Sequence, residues 1–307
     1  MPMKNDEKLI RINSISEVHQ IFGLPKPQHP LISVMNFTLG DSPDLTKLPA
    51  YDVLNFYKVT FITKLSGQLR YGQGHYDYDE GSMLFVAPNQ LVGSGNYAEN
   101  SEGYILLIHP DFFLGYPLAH KVKQYGYFSY TANEALHLSD SEREIILSVY
   151  QIIEKELQGR IDEFSQDIVI AQIELLLSYA NRFYRRQFIT RKSVNHDVLQ
   201  RVETILDEYF EKGLPLHQGI PTVQFLSEHL HISPGYLSDL LRSLIGQNAQ
   251  QYIRYKLIEK AKEKLSTTQL NVSEIAYELG FEHSQSFSKL FKSKTNLSPL
   301  EFRATFN

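Results

Sequence analysis

The chain contains no cysteine in 307 residues, which excludes disulfides, thiolate metal sites and thiol redox switches. It also lacks any apolar stretch near the ~18 residues that a membrane span requires. The segment from Met1 to Lys8 is charged and has no apolar core of the signal-peptide kind, so no export and a cytoplasmic location are expected. Excess positive charge is missing as well: the net charge is −5, which taken alone argues against a nucleic-acid partner. What remains, 42% apolar and 21% charged residues, is ordinary for a globular protein long enough to hold two cores.

The charge is unevenly placed. Residues 191–307 carry 14 Lys and Arg against 13 Asp and Glu, while 1–190 carry 16 against 22. Between Arg242 and Arg303 the count is 10 basic against 6 acidic residues. The basic excess therefore collects in the C-terminal third, as a small footprint for phosphate.

That third holds one pattern written twice. Val223, Leu226, Leu230 and Ile232 recur as Val272, Ile275, Leu279 and Phe281; Leu237, Leu240, Leu241 and Gly246 recur as Phe287, Leu290, Phe291 and Asn296. Each copy has a helix with apolar residues at 3.6 spacing, a short turn and a second helix, the pattern of a helix-turn-helix. In the second copy Ala276 permits a close helix crossing and Gly280 suits a left-handed turn. Ser284 is the expected N-cap of the following helix, which leaves Gln285, Ser288, Lys289 and Lys292 on its outer face. In the first copy Ser227 replaces the alanine and His231 stands at the turn; Ser233 is the expected N-cap, with Pro234 at the first helical position. Tyr236, Ser238, Asp239 and Arg242 then face outward, Asp239 lying where the second copy has Lys289.

The runs Lys256–Leu265, Val272–Phe281, Ser286–Lys292 and Leu297–Arg303 together resemble the signature of AraC-type transcriptional regulators, the AraC/XylS family. The resemblance covers about residues 195 to 305, and the chain departs from it at Asn296, where the family usually carries glycine. Asparagine is the next-best residue for a left-handed helix end. The resemblance implies a sequence-specific DNA-binding regulator, not an enzyme, with double-stranded DNA as partner, a homodimer, a small-molecule effector and contact with RNA polymerase.

Ahead of this part, residues from about Leu31 to Ile108 read as short strands separated by Gly, Pro and Asn, which suggests a small β-barrel or jelly roll. Tyr57, Val59 and Phe61 alternate with Lys58 and Thr60, Ser66-Gly67 marks a turn, and Tyr76 and Tyr78 alternate with Asp77 and Asp79. In the family resemblance a cupin-like sensing domain lies here, with Gly81 to Gln90 similar to its second motif. Gly93 stands where that motif would place a His, and His75 has no His two residues away, so no metal and no cofactor are expected. Tyr57, Phe61, Tyr71, Tyr76, Tyr78 and Phe85 are the candidates to line an effector pocket, although aromatic residues equally serve to fill a small barrel.

Two amphipathic helices follow. Ser139 with Glu142 makes a capping box before Ile145, Ile146, Val149, Ile152, Ile153 and Leu157. The second helix, about Asp162 to Arg186, carries Phe164, Ile168, Ile173, Leu175, Leu176, Tyr179 and Phe183. They can pack on the barrel or against a second subunit, and the family resemblance favours dimerisation. Arg182, Arg185, Arg186, Arg191 and Lys192 bracket the expected linker as a solvated boundary. A helix over 197–212 with Asp197 as N-cap, and one from Asn248 to Leu265 whose Ile253, Leu257, Ala261 and Leu265 hold both repeats, complete the pattern.

The expected architecture is α+β. It comprises a cupin-like sensing domain (1–131), a helical dimerisation segment (132–190) and an all-α domain of two helix-turn-helix units (191–307). The rivals are a metal-dependent cupin enzyme with a DNA-binding tail, and a constitutive regulator whose barrel is filled.

Overall fold

A computed structural model describes residues 9–38, 51–64, 69–71, 74–76, 81–93, 102–131, 134–159, 162, 164–190 and 192–306. Tyr78, the Ser66-Gly67 turn and Arg191 lie outside the described residues. The chain divides into two compact units, Met1–Gln187 and Phe188–Asn307.

The first unit begins with β1 (Leu9–Ile12) and α1 (Ile15–Ile21), then β2 (Ile32–Thr38), β3 (Tyr51–Leu54) and β4 (Tyr57–Lys64). It continues with β5 (Leu69–Tyr71), β6 (Gly74–Tyr76), β7 (Ser82–Val86), β8 (Leu91–Gly93) and β9 (Glu102–Ile108). A stretch of short turns with α2 (Leu118–Lys121) leads to β10 (Leu136–His137), α3 (Asp140–Gln158) and α4 (Ser165–Thr190).

The strands form a sheet in the order β10-β7-β4-β9-β2, a three-stranded sheet β1-β3-β8 and the hairpin β5-β6. Sheet and helix are both present, as an α+β chain requires. No closed barrel is found among the described residues, so the cupin-like barrel is not shown.

The central strand explains the departure from simple alternation. In β4, Val59, Thr60, Phe61 and Ile62 are all buried, so both faces of this strand are covered, as the β-branched and aromatic run permits. A cluster of Ile12, Ile15, Val18, Met35, Leu54, Phe56, Ile105 and Leu107 seats α1. Helix α3 is also pinned to β4, because the buried Tyr150 hydroxyl donates to the Val59 carbonyl at 3.0 Å and its ring meets Phe61 at 5.9 Å.

The capping box at Ser139 and Glu142 is present, and α3 ends at Gly159. Before α4, the Asp162 carboxylate accepts from the amides of Phe164 and Ser165 at 2.9 and 3.1 Å, so the helix proper starts three residues later than expected and runs further, to Thr190. Its buried stripe includes Val169, Ile173, Leu176, Leu177, Ala180 and Tyr184; Leu176 is fully buried, whereas Phe164, Ile168 and Leu175 are exposed. Near the C-terminal end of α4, Arg186 departs from the expectation of a solvated boundary. Its Nε and Nη2 grip both oxygens of Glu142, and Nη2 also donates to the His137 carbonyl. Gln187, almost fully buried, exchanges hydrogen bonds with the backbone of His137 and Ala135, replacing a strand neighbour for β10.

Candidate nucleic-acid interface

The second unit is helical. It consists of α5 (Lys192–Glu211), α6 (Pro215–Gln218), α7 (Val223–Leu230), α8 (Pro234–Ile245), α9 (Ala249–Thr267), α10 (Val272–Glu278), α11 (Ser284–Thr295) and α12 (Pro299–Ala304). Helix α5 starts at Lys192, so Asp197 lies within it and is not its N-cap. The 192–196 run has no Gly or Pro to stop the helix from extending backwards.

Helix α9 is the shared beam. Its N-terminal half, Ala249, Tyr252 and Ile253, joins Val202 and Leu206 of α5 and Leu226, Leu230, Leu237 and Leu241 of α7 and α8 in one core. Its C-terminal half, Leu257, Ile258, Ala261 and Leu265, joins Ile275, Ala276, Leu279, Phe281, Phe287 and Phe291 in a second. The four residues expected to hold both repeats are all buried. A capping box between Asn248 and Gln251 starts the helix. The Tyr252 hydroxyl donates to Glu203 of α5 at 2.6 Å, and burial, followed by this bond, raises the phenol pKa.

Both helix-turn-helix units form with the expected turn chemistry. Helix α7 closes on His231 in the left-handed region (φ 57°), and α8 is capped by the Ser233 hydroxyl, which accepts from the Tyr236 amide. Helix α10 starts with a capping box of Asn271 and Glu274 that the sequence reading missed, although Asn followed by Glu three residues on was its signal. The chain then turns through Gly280 (φ 87°), and α11 ends on Asn296 (φ 63°). One expectation is corrected: the N-cap of α11 is His283, not Ser284, which is the first helical residue. The imidazole of His283 makes no capping bond there.

The outer faces differ between the copies. On α11, Gln285, Lys289 and Lys292 are exposed, and Ser284 and Ser288 are partly so. Lys289 has no carboxylate within ion-pairing distance among the described residues, while Lys292 lies within electrostatic reach of Glu301. On α8, Ser238 and Asp239 are partly exposed and Arg242 is exposed. Asp239 does not stand alone there: its Oδ1 accepts from Arg242 Nη1 at 2.5 Å. Tyr236 is partly exposed, its ring set edge-on to Phe188 at 5.1 Å.

The effector candidates in the first unit are placed as follows. Tyr57, Phe61 and Phe85 are buried in aromatic contacts, Tyr57 with Phe113 and Phe128, and Phe85 with Tyr127, Phe128 and Tyr184. Tyr71 and Tyr76 belong to the separate β5-β6 hairpin. The five of them that are described are therefore not gathered on one sheet.

Comparison with known proteins bears on the same region. A family model described as a helix-turn-helix domain matches residues 226–305. An uncharacterized HTH-type transcriptional regulator, YfiF of Bacillus subtilis, is 23% identical over 266 residues, covering 82% of this chain and 78% of that protein. The arabinose operon regulatory protein of Salmonella typhimurium is 26% identical over 230 residues, covering 73% and 75%. Among solved structures, the C-terminal domain of the two-component response regulator yesN from Fusobacterium nucleatum is 35% identical. It covers 33% of this chain and 96% of that one, with a TM-score of 0.29.

Proposed function

We propose that the chain, a DNA-binding transcription regulator with a helix-turn-helix domain, reads double-stranded DNA through α8 and α11 together. The observation that carries this reading is the sharing of α9 by both cores, which makes the two reading helices parts of one folded body. Gln285, Ser288, Lys289 and Lys292 are the reading and phosphate-contacting residues of α11, with Ser284 at its start. Tyr236, Ser238, Asp239 and Arg242 serve the same purpose on α8, and the buried Ser233 holds the start of that helix as its N-cap.

A homodimer completes the reading, since the basic excess of one DNA-binding unit is small. Ile152 on α3, and Phe164, Ile168 and Leu175 along the start of α4, are large apolar side chains left exposed at 45%, 60%, 42% and 42%. They support self-association there. Joining two reading units makes the second contact intramolecular and can raise affinity roughly 10²–10⁴-fold without a new contact. An effector bound by the first unit then acts by favouring one arrangement of the reading units over another, which requires different affinity for the two. The outcome is altered promoter occupancy or altered contact with RNA polymerase, in the cytoplasm.

The test is titration of selected DNA by the full chain at several salt concentrations. Lys289→Ala and Lys292→Ala should each weaken binding to all sequences and flatten the salt slope by about one unit. Gln285→Ala should relax preference at one base by ~1–3 kcal/mol. Unchanged affinity and slope in both lysine variants, with folding intact, refutes the assignment of α11.

The packing of Tyr57, Phe61 and Phe85 favours a second reading, a regulator whose first unit is filled and senses nothing. Thermal shifts across metabolite collections separate the two, because a specific ligand at 100 times its dissociation constant adds ~2.7 kcal/mol.

A further inference from the structure

We propose that Arg242 and Asp239 form a single reading unit for a guanine in the major groove, with Asp239 the positioning residue that fixes the guanidinium. The proposal rests on the reading that α8 enters the groove. Asp239 Oδ1 lies 2.5 Å from Arg242 Nη1, one turn apart on α8, and the two side chains are 27% and 55% exposed. Occupying Nη1 leaves the Nε and Nη2 hydrogens as a planar fork, the donor pair that meets the N7 and O6 acceptors of guanine. The same fork geometry is made within this chain by Arg186, whose Nε and Nη2 reach the two Glu142 oxygens at 3.1 and 2.6 Å.

Charge points the same way. The Asp239 carboxylate beside the Arg242 guanidinium weakens its pull on a phosphate, whereas the hydrogen-bonding geometry of the guanidinium is retained. At the corresponding places α11 carries Lys289 and Lys292, compact charges on flexible stems that suit phosphate rather than a base edge. The repeat has therefore diverged in role: α8 contributes a base contact at this turn of the helix, and α11 contributes backbone attraction.

The experiment uses the full chain and a random-sequence DNA library, followed by titrations on the selected site with each guanine replaced in turn, at two salt concentrations. Wild type should select a guanine at which Arg242→Lys loses preference roughly tenfold, at an unchanged salt slope. Asp239→Asn should lose part of the preference at that same base and none elsewhere. The proposal is overturned if Arg242→Lys keeps every base preference while Arg242→Ala only flattens the slope, for then Arg242 contacts phosphate. It is equally overturned if Asp239→Asn strengthens binding to all sequences with every preference intact. If Arg242→Ala changes neither quantity while Lys289→Ala does, α8 lies off the duplex and the pair reads nothing, and the assignment of α11 still stands. Should wild type select no sequence at all, the sequence-reading function itself fails.

Discussion

The two repeats contain a built-in experiment at Ser227 and Ala276. These residues occupy the same place in α7 and α10, and both are buried, at 3% and 0% exposure. Ala276 has nothing to satisfy, whereas the Ser227 hydroxyl oxygen has no hydrogen-bond partner among the described residues. A buried hydroxyl without a partner costs ~1–3 kcal/mol by mutational measures. Alanine is also the better helix former, by about 0.5 kcal/mol. Against this, removing one packed oxygen forfeits a few contacts of about 0.1–0.2 kcal/mol each. Ser227→Ala should therefore stabilise the second unit by ~1–2 kcal/mol, which for a domain near this size is roughly 4–8 °C in Tm. Scanning calorimetry of the full chain reads the transition of that unit directly. The reciprocal Ala276→Ser should lower the same transition by a similar amount, because it introduces a hydroxyl among the apolar neighbours of that core, Ile275, Leu279 and Phe281 among them. A neutral or destabilising Ser227→Ala, together with a harmless Ala276→Ser, would refute the claim that these positions supply no partner to a hydroxyl.

Further outcomes follow from burial and backbone geometry. Gly280→Ala should destabilise by more than ~2 kcal/mol, since φ is +87° and a Cβ would meet the Gly219 carbonyl carbon at 2.5 Å and the Ile220 nitrogen at 2.7 Å; an unchanged calorimetric transition would disprove that close approach. Leu175→Glu should leave the fold intact and, on the dimer reading, shift sedimentation towards monomer and weaken binding to a paired site. Leu176→Glu should instead unfold the first unit, because Leu176 is fully buried and a carboxylate there has no compensation. Equal behaviour of the two variants by circular dichroism would contradict the assigned faces of α4.

Signals that act over a few residues were legible in the sequence. The Ser139–Glu142 box, the Ser233 cap with Pro234, and left-handed ends at His231 and Asn296 all formed as expected, because each is decided within about one helical turn. The 3.6 spacing likewise identified Ile253, Leu257, Ala261 and Leu265 as the buried face of α9. Local signals could still mislead where two neighbours compete, as with His283 and Ser284, or where a helix extended past a good cap, as at Asp197.

Tertiary structure decided what periodicity alone leaves equivalent. Leu175 and Leu176 are adjacent and chemically identical in the sequence, and only packing made one a core residue and the other a surface residue. Gly280 was readable as a turn, but its second duty, leaving room for the backbone at 219–220, depends on a segment some 60 residues earlier in the chain. Arg186 read as part of a solvated boundary until the fold brought Glu142 beside it, and Gln187 found its role only through β10. The strand run was legible as strands, yet how they pair is set by contacts distant in sequence, and they form separate sheets among the described residues. Sequence by itself thus determined most of the helices, several of their caps and the helix-turn-helix repeat, because those rest on short-range hydrogen bonds. Which faces are buried, and which charges meet, was left to long-range packing.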